Sequence, residues 1–158
     1  MSTQESRAIT LFNLRYAVRV LERYARLWHR IGMALRIAAV MSGMSALGVV
    51  WAQAAGLTIA AGAVFAALQA LDFVLDAPRR EMQALLARAA YAGILGRGRA
   101  LGDDELAAAY DEAVAADTLV VPGSIQRLAY NDVIEERGDD PAALYPVTRL
   151  LRVMQLVA

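Results

Sequence analysis

The sequence predicts an all-α membrane protein: a two-helix transmembrane hairpin flanked by cytoplasmic helices. Three observations predict it. From Ile37 to Leu71 the chain runs 35 residues without a charge. Hydrophobic residues make up 58% of the chain and the mean hydropathy is +0.39, both high for a soluble domain. Arginines bracket the apolar run, Arg30 and Arg36 before it and Arg79 and Arg80 after it. One span needs roughly 20 apolar residues at about 1.5 Å each. The run is too long for one comfortable span and just long enough for two short ones. At 158 residues the chain is one domain's worth. Its expected parts are a cytoplasmic amphipathic helix over 7–30, the hairpin over 33–75 and a cytoplasmic helical region over 79–158.

Along the first helix, Leu11, Leu14, Val18, Leu21, Ala25 and Trp28 alternate spacings of three and four. That heptad seam marks a face that packs on another helix. Arg15, Arg19, Arg23, Arg26 and Arg30 form a second stripe. Two readings of it stand side by side: a solvated positive-inside face, or a surface that holds lipid headgroups or a phosphorylated ligand. No proline or glycine intervenes before Gly32, so this helix is expected to run on into the first span with a bend there.

The spans are expected at about Met33–Trp51 and Leu57–Leu75, with Ala52-Gln53-Ala54-Ala55-Gly56 as the turn. Positive loops stay cytoplasmic, which places both termini inside and the turn outside the inner membrane. Ala39 and Gly43, then Gly62, Ala66 and Ala70, recur at helix-packing spacings that let backbones approach in lipid. Ser42, Ser45 and Gln69 are polar positions within the spans, either lining a pore between copies or bonding to neighbouring backbone. Gln69 is expected to face protein. Arg36 and Asp72 are equidistant from residue 54, so they share a depth near the cytoplasmic face; as candidate pore-lining or gating residues they are predicted to approach each other, the alternative being that each snorkels separately to the headgroups.

Pro78 is expected to interrupt or bend the membrane exit. A helix from about Arg79 to Leu95 follows, with Met82, Leu85, Leu86, Ala89 and Leu95 as the expected buried positions. Gly96 to Gly102 looks superficially like a phosphate loop. It follows a helix rather than a strand and has no lysine, so it reads as a basic turn. Asp103 or Asp104 should cap a helix to Ala116, and Ser124 one over Ile125–Arg137 that Gly138 stops. Asp140-Pro141 opens a last helical segment. Its apolar end, Val147 to Val157, is expected to pack on the other helices or lie on the membrane surface.

Nothing here points to an enzyme. The chain has no Cys, which excludes disulfides and thiolate chemistry. The single His29 reads as an interfacial residue. No His or Cys cluster suits a metal, and no cofactor is expected. Charge balances at 16 against 16, so no basic field recruits nucleic acid. The sixteen cations are all Arg, a composition suggestive of a GC-rich bacterium. A cleavable signal peptide is not expected, because charges recur through the first thirty residues.

The layout resembles the SLATT family, bacterial two-transmembrane effector domains of nucleotide-second-messenger and related conflict systems. The resemblance runs from about Leu21 to Gly138. It rests on the Trp28-His29-Arg30 end of the first helix, AVMSGMSALGVV in the first span and AALQALDFVLD at the second exit. REMQALLARAAYAGIL and the PGSIQRLAYNDVIEERG segment continue it. What it implies is a homo-oligomeric effector that forms pores in, or perturbs, the inner membrane in an antiphage response. Its partners would be the lipid bilayer, further copies of itself and a separate sensor protein. A holin-like phage protein and a structural membrane subunit of a larger assembly are the alternatives.

Overall fold

Helical periodicity is realised along most of the chain. A computed structural model of the protein describes residues 3–51 and 55–158. Helix α1 spans Thr3–Trp51, α2 Ala55–Leu75, α3 Ala77–Arg97, α4 Asp103–Ala116, α5 Gly123–Arg137 and α6 Arg149–Val157, with one 3-10 turn over Pro141–Ala143. Among the described residues there is no strand. The fold is therefore all-α. It divides into two compact units, Met1–Leu27 with Glu81–Ala158, and Trp28–Arg80.

The first unit is a helical body. Leu14 and Leu21 of α1, Tyr91 and Ile94 of α3 and Leu106 of α4 form its buried cluster. Leu11 and Val18 pack against that cluster, so the heptad seam of the first helix is its core-facing side. Burying side chains of this size contributes roughly 1.5–3 kcal/mol each. In α5, Ile125, Leu128, Ala129, Val133 and Ile134 are buried, and α6 packs on α5 with Leu151 buried. The C-terminal tail thus joins the body.

Of the expected inward face of α3, Leu95 alone packs against the core cluster. Met82, Leu85, Leu86 and Ala89 are exposed, Met82 at 58% and Leu86 at 64%. Ala84, Tyr91 and Ile94 are buried instead, and Ala87 is partly buried. Spacings of three and four run through both sets, so periodicity alone does not choose between them.

Helix ends also differ in detail. Gly102, not Asp103 or Asp104, is the N-cap of α4, and its N–H donates to the Glu105 carboxylate at 3.0 Å. Asp103 is drawn off by Arg7, whose guanidinium also donates to the carbonyls of Gly98 and Leu101. One arginine from the start of α1 thereby pins the glycine-rich turn. Helix α5 begins at Gly123 with Pro122 as its N-cap, and Ser124 lies inside it. Gly138 ends it as expected, in the left-handed region at φ 68°.

In the second unit α1 is continuous through Gly32. A Cβ on Gly32 would meet that of Ala77 at 3.3 Å, so the glycine serves a close helix approach. The break between α2 and α3 falls on Asp76, one residue at φ 44°. Asp76 N–H donates to Asp72 O at 3.0 Å, and Asp76 O accepts from Arg79 and Arg80 N–H. Pro78 sits in the first turn of α3, where a missing N–H costs nothing. Aspartate is among the few non-glycine residues that tolerate this backbone region. Asp76→Val is expected to lower stability by about 1–2 kcal/mol, whereas Asp76→Gly leaves it unchanged or raises it. Thermal unfolding of the two variants in detergent checks the contrast.

Candidate functional site

Small residues decide how the Trp28–Arg80 unit closes. Its two long helical segments are antiparallel: a Cβ on Gly43 would lie 3.6 Å from the Phe65 ring, and Ser42 Oγ donates to Ala61 O at 3.4 Å. Ala39 is buried. Ala39 and Gly43 therefore pack inside the hairpin, and Ser42 bonds to backbone there. Gly62, Ala66 and Ala70 face outward, and a Cβ on Gly62 would meet nothing within 4 Å. Gln69 lies exposed among them. The side chain of Ser45 and all of Gln53 lie outside the described residues.

Large apolar side chains make up much of the outer surface of this unit. Ile37, Val40 and Met41 of α1 are exposed, as are Ile59, Val64 and Val74 of α2, with Phe73 reaching 87%. Among the described residues one helical stretch, Ile59–Arg97, is long and apolar enough to cross a membrane, and none of its most apolar window is buried.

Arg36 and Asp72 do not pair: among the described residues no ion pair joins them, Arg36 is exposed, and Asp72 Oδ1 is buried without a hydrogen-bond partner. Equal distance from the turn sets depth along two antiparallel helices and not the angle around them. The contact face of α1 runs through Gly32, Ala39 and Gly43. Residues 28 and 80 are also equidistant from residue 54, and these do meet. The Arg80 guanidinium lies 4.8 Å from the Trp28 ring centroid and donates from Nε to Leu75 O at 2.9 Å. This cation–π contact closes the open end of the hairpin, and the same arithmetic on the sequence would have found it.

In the helical body most of the arginine stripe meets carboxylates. Arg23 is only 8% exposed and donates from Nε and Nη2 to the two Asp132 oxygens at 2.5 and 2.6 Å. Arg19 reaches Glu136 at 2.9 Å and Glu22 at 3.2 Å, and the Glu136 hydrogen bond leads in raising its pKa. Arg26 also pairs with Glu22, at 3.4 Å. Arg15 is exposed beside Glu136 and Asp139, and Arg30 is exposed in the other unit. Arg19 and Arg23 join α1 to α5 through acids more than a hundred residues away, which spacing alone did not reveal, whereas Glu22 lies on α1 itself.

The Tyr130-Asn131-Asp132 triplet organises that junction. Tyr130 makes edge contacts with Phe12, Tyr16 and Tyr145 at centroid distances of 6.0, 6.4 and 5.2 Å. Buried Asn131 clamps the backbone of Tyr145, donating to its carbonyl at 3.0 Å and accepting from its N–H at 2.8 Å. Asp132 takes Arg23. After α5, Asp139 pairs with Arg137 at 3.0 Å, and Asp140 accepts from Ala142 N–H at 2.9 Å.

Tyr91 donates to Asp117 at 3.3 Å. Burial, with Asp117 adding to the rise, pushes its phenol up to about 12 from 10.0. Burial foremost also raises Tyr16 and Tyr110. The fold favours the neutral phenol, so this stabilisation is complete below the ordinary phenol value and is lost as pH climbs through the folded one. The denaturation midpoint is expected to fall between about pH 10 and 12. Tyr91→Phe should cost about 1 kcal/mol near neutrality and flatten that alkaline fall.

No family model matches the chain, and no curated protein or solved structure matches it. Among the described residues no group of His, Asp or Glu is placed to hold a metal ion. What the geometry offers is an apolar helical surface in one unit and a salt-bridged helical body in the other.

Proposed function

We propose that the protein is an integral membrane effector of the SLATT type. In this reading the Trp28–Arg80 hairpin crosses the bacterial inner membrane twice, with both termini cytoplasmic. Copies associate and open a pore or perturb the bilayer when a separate sensor reports infection. The observation that carries the reading is the outward display of large apolar side chains along a hairpin with no charge from Ile37 to Leu71. Lipid is the solvent that makes such a surface stable. The outward line of Gly62, Ala66 and Ala70 supports association, since small residues let a second copy approach closely. Gln69 beside them would gain a partner at such an interface. A holin-like role fits less well, because a well-packed helical body follows the hairpin.

Dye release from liposomes tests this reading. The reconstituted protein is expected to release an entrapped fluorophore, and Gly62→Leu to abolish most of that release. Gly62 is the better choice than Gly43, since a side chain at Gly43 would strike Phe65 within the same chain. Liposomes that stay sealed, or leakage unchanged by Gly62→Leu, would count against the pore and its packing face respectively.

A further inference from the structure

The helical body carries a cleft of about 230 Å³ that the membrane reading leaves unused. Its walls come from α1, α4, the segment after α4 and the first turn of α5. Val20, Leu119 and Val121 supply apolar surface, and Tyr16 and Tyr110 supply two aromatic rings. Its polar groups are largely unspent. Among the described residues the Asn13 amide and the Tyr16 and Tyr110 hydroxyls make no hydrogen bond. Gln126 uses one amide N–H on Val121 O at 3.0 Å, leaving its carbonyl open. A mostly apolar concavity with a few convergent, uncommitted polar groups is how small-molecule sites are built.

Charge selects the ligand. Asp117 is the one ionised residue lining the cleft. Its two oxygens accept from Tyr91 Oη at 3.3 Å and from Leu119 N–H at 3.0 Å. A carboxylate has about four acceptor sites, so each oxygen can take another donor. An anion would meet Asp117 with no cation to offset it. A planar cation would meet the carboxylate beside two aromatic rings, both of which can attract it. The volume falls below the roughly 300–1,000 Å³ of drug-sized pockets, which limits the occupant to one ring with a short charged group. We propose that this cleft binds a small planar cation of the aryl-amidinium class, with Asp117 as its counter-ion and Tyr16 and Tyr110 as its aromatic walls. The site lies wholly within the helical body and does not depend on membrane insertion.

Benzamidine and benzoate are near-isosteric probes of opposite charge. Titrated into the full chain in detergent and followed by ligand-observed NMR, benzamidine is expected to bind saturably and benzoate not to bind. Asp117→Asn keeps the shape and removes the charge, and should weaken benzamidine binding at least about tenfold. Should Asp117→Asn fail to fold, Val121→Trp, which fills the cleft from an irregular segment, should give the same loss. Asp111→Asn, an exposed acid on α4, is the control expected to bind as the parent does. Equal binding of benzoate would overturn the proposal. So would absence of saturable benzamidine binding, or undiminished binding by folded Asp117→Asn or Val121→Trp.

Discussion

Arg23→Ala is expected to destabilise the helical body by about 2–4 kcal/mol, a large share of a small domain's stability. The truncation leaves the Asp132 carboxylate in a half-buried position with both of its charged hydrogen bonds gone. Asp132 keeps some contact with water, which holds the cost toward the lower end of what buried ion pairs show. The damage should reach further than one contact. Asp132 follows Asn131, which clamps Tyr145, and Tyr130, which packs on Phe12 and Tyr16. Loosening α5 from α1 therefore loosens the turn before α6. The double variant Arg23→Met with Asp132→Leu should recover most of the loss, because it removes both charges together. Arg26→Ala, whose partner Glu22 is shared and whose guanidinium is half-exposed, should change stability by less than about 1 kcal/mol. Urea denaturation in detergent distinguishes these cases. A change below about 0.5 kcal/mol for Arg23→Ala would mean that the pair does not hold α5.

Val64→Arg is expected to shift the protein out of the membrane fraction. Val64 is exposed near the middle of α2 and within the run without charges. Arginine at the centre of a span costs about 2.5–3.5 kcal/mol, where an apolar residue is favourable by a few tenths. The swing of about 3 kcal/mol is enough to reverse the balance for a marginal span. Val114 offers an internal comparison, being similarly exposed but on α4 in the helical body. Val114→Arg should leave the membrane fraction unchanged. Equal behaviour of the two variants would remove the distinction between lipid-facing and water-facing valines.

Much of this architecture was legible in the residues. The charge-free run marked the paired helical segments of the Trp28–Arg80 unit, and the alternating apolar seam of α1 marked the core cluster. Gly138 announced its own left-handed turn. What stayed hidden involved choice among equivalent patterns. Helix α3 carries two apolar faces at the same period, and only its packing within the body picks Ala84, Tyr91 and Ile94 over Met82, Leu85 and Leu86. The arginine stripe was visible, but its acidic partners on α5 were joined to it only by tertiary folding. Depth matching paired Arg36 with Asp72 and missed that they lie at different angles, although it holds for Trp28 and Arg80.

Single-cysteine topology mapping tests the central claim most directly, and the absence of native Cys makes it clean. Cysteine is placed at Ser6, Gln53 or Glu112, and spheroplasts are treated with a membrane-impermeant maleimide. A double-spanning hairpin predicts labelling at Gln53→Cys, with Ser6→Cys and Glu112→Cys shielded until the membrane is opened. Labelling of Ser6→Cys or Glu112→Cys alone, on opposite sides of the membrane, would mean a single span. Recovery of all three variants in the soluble fraction would contradict the membrane account altogether.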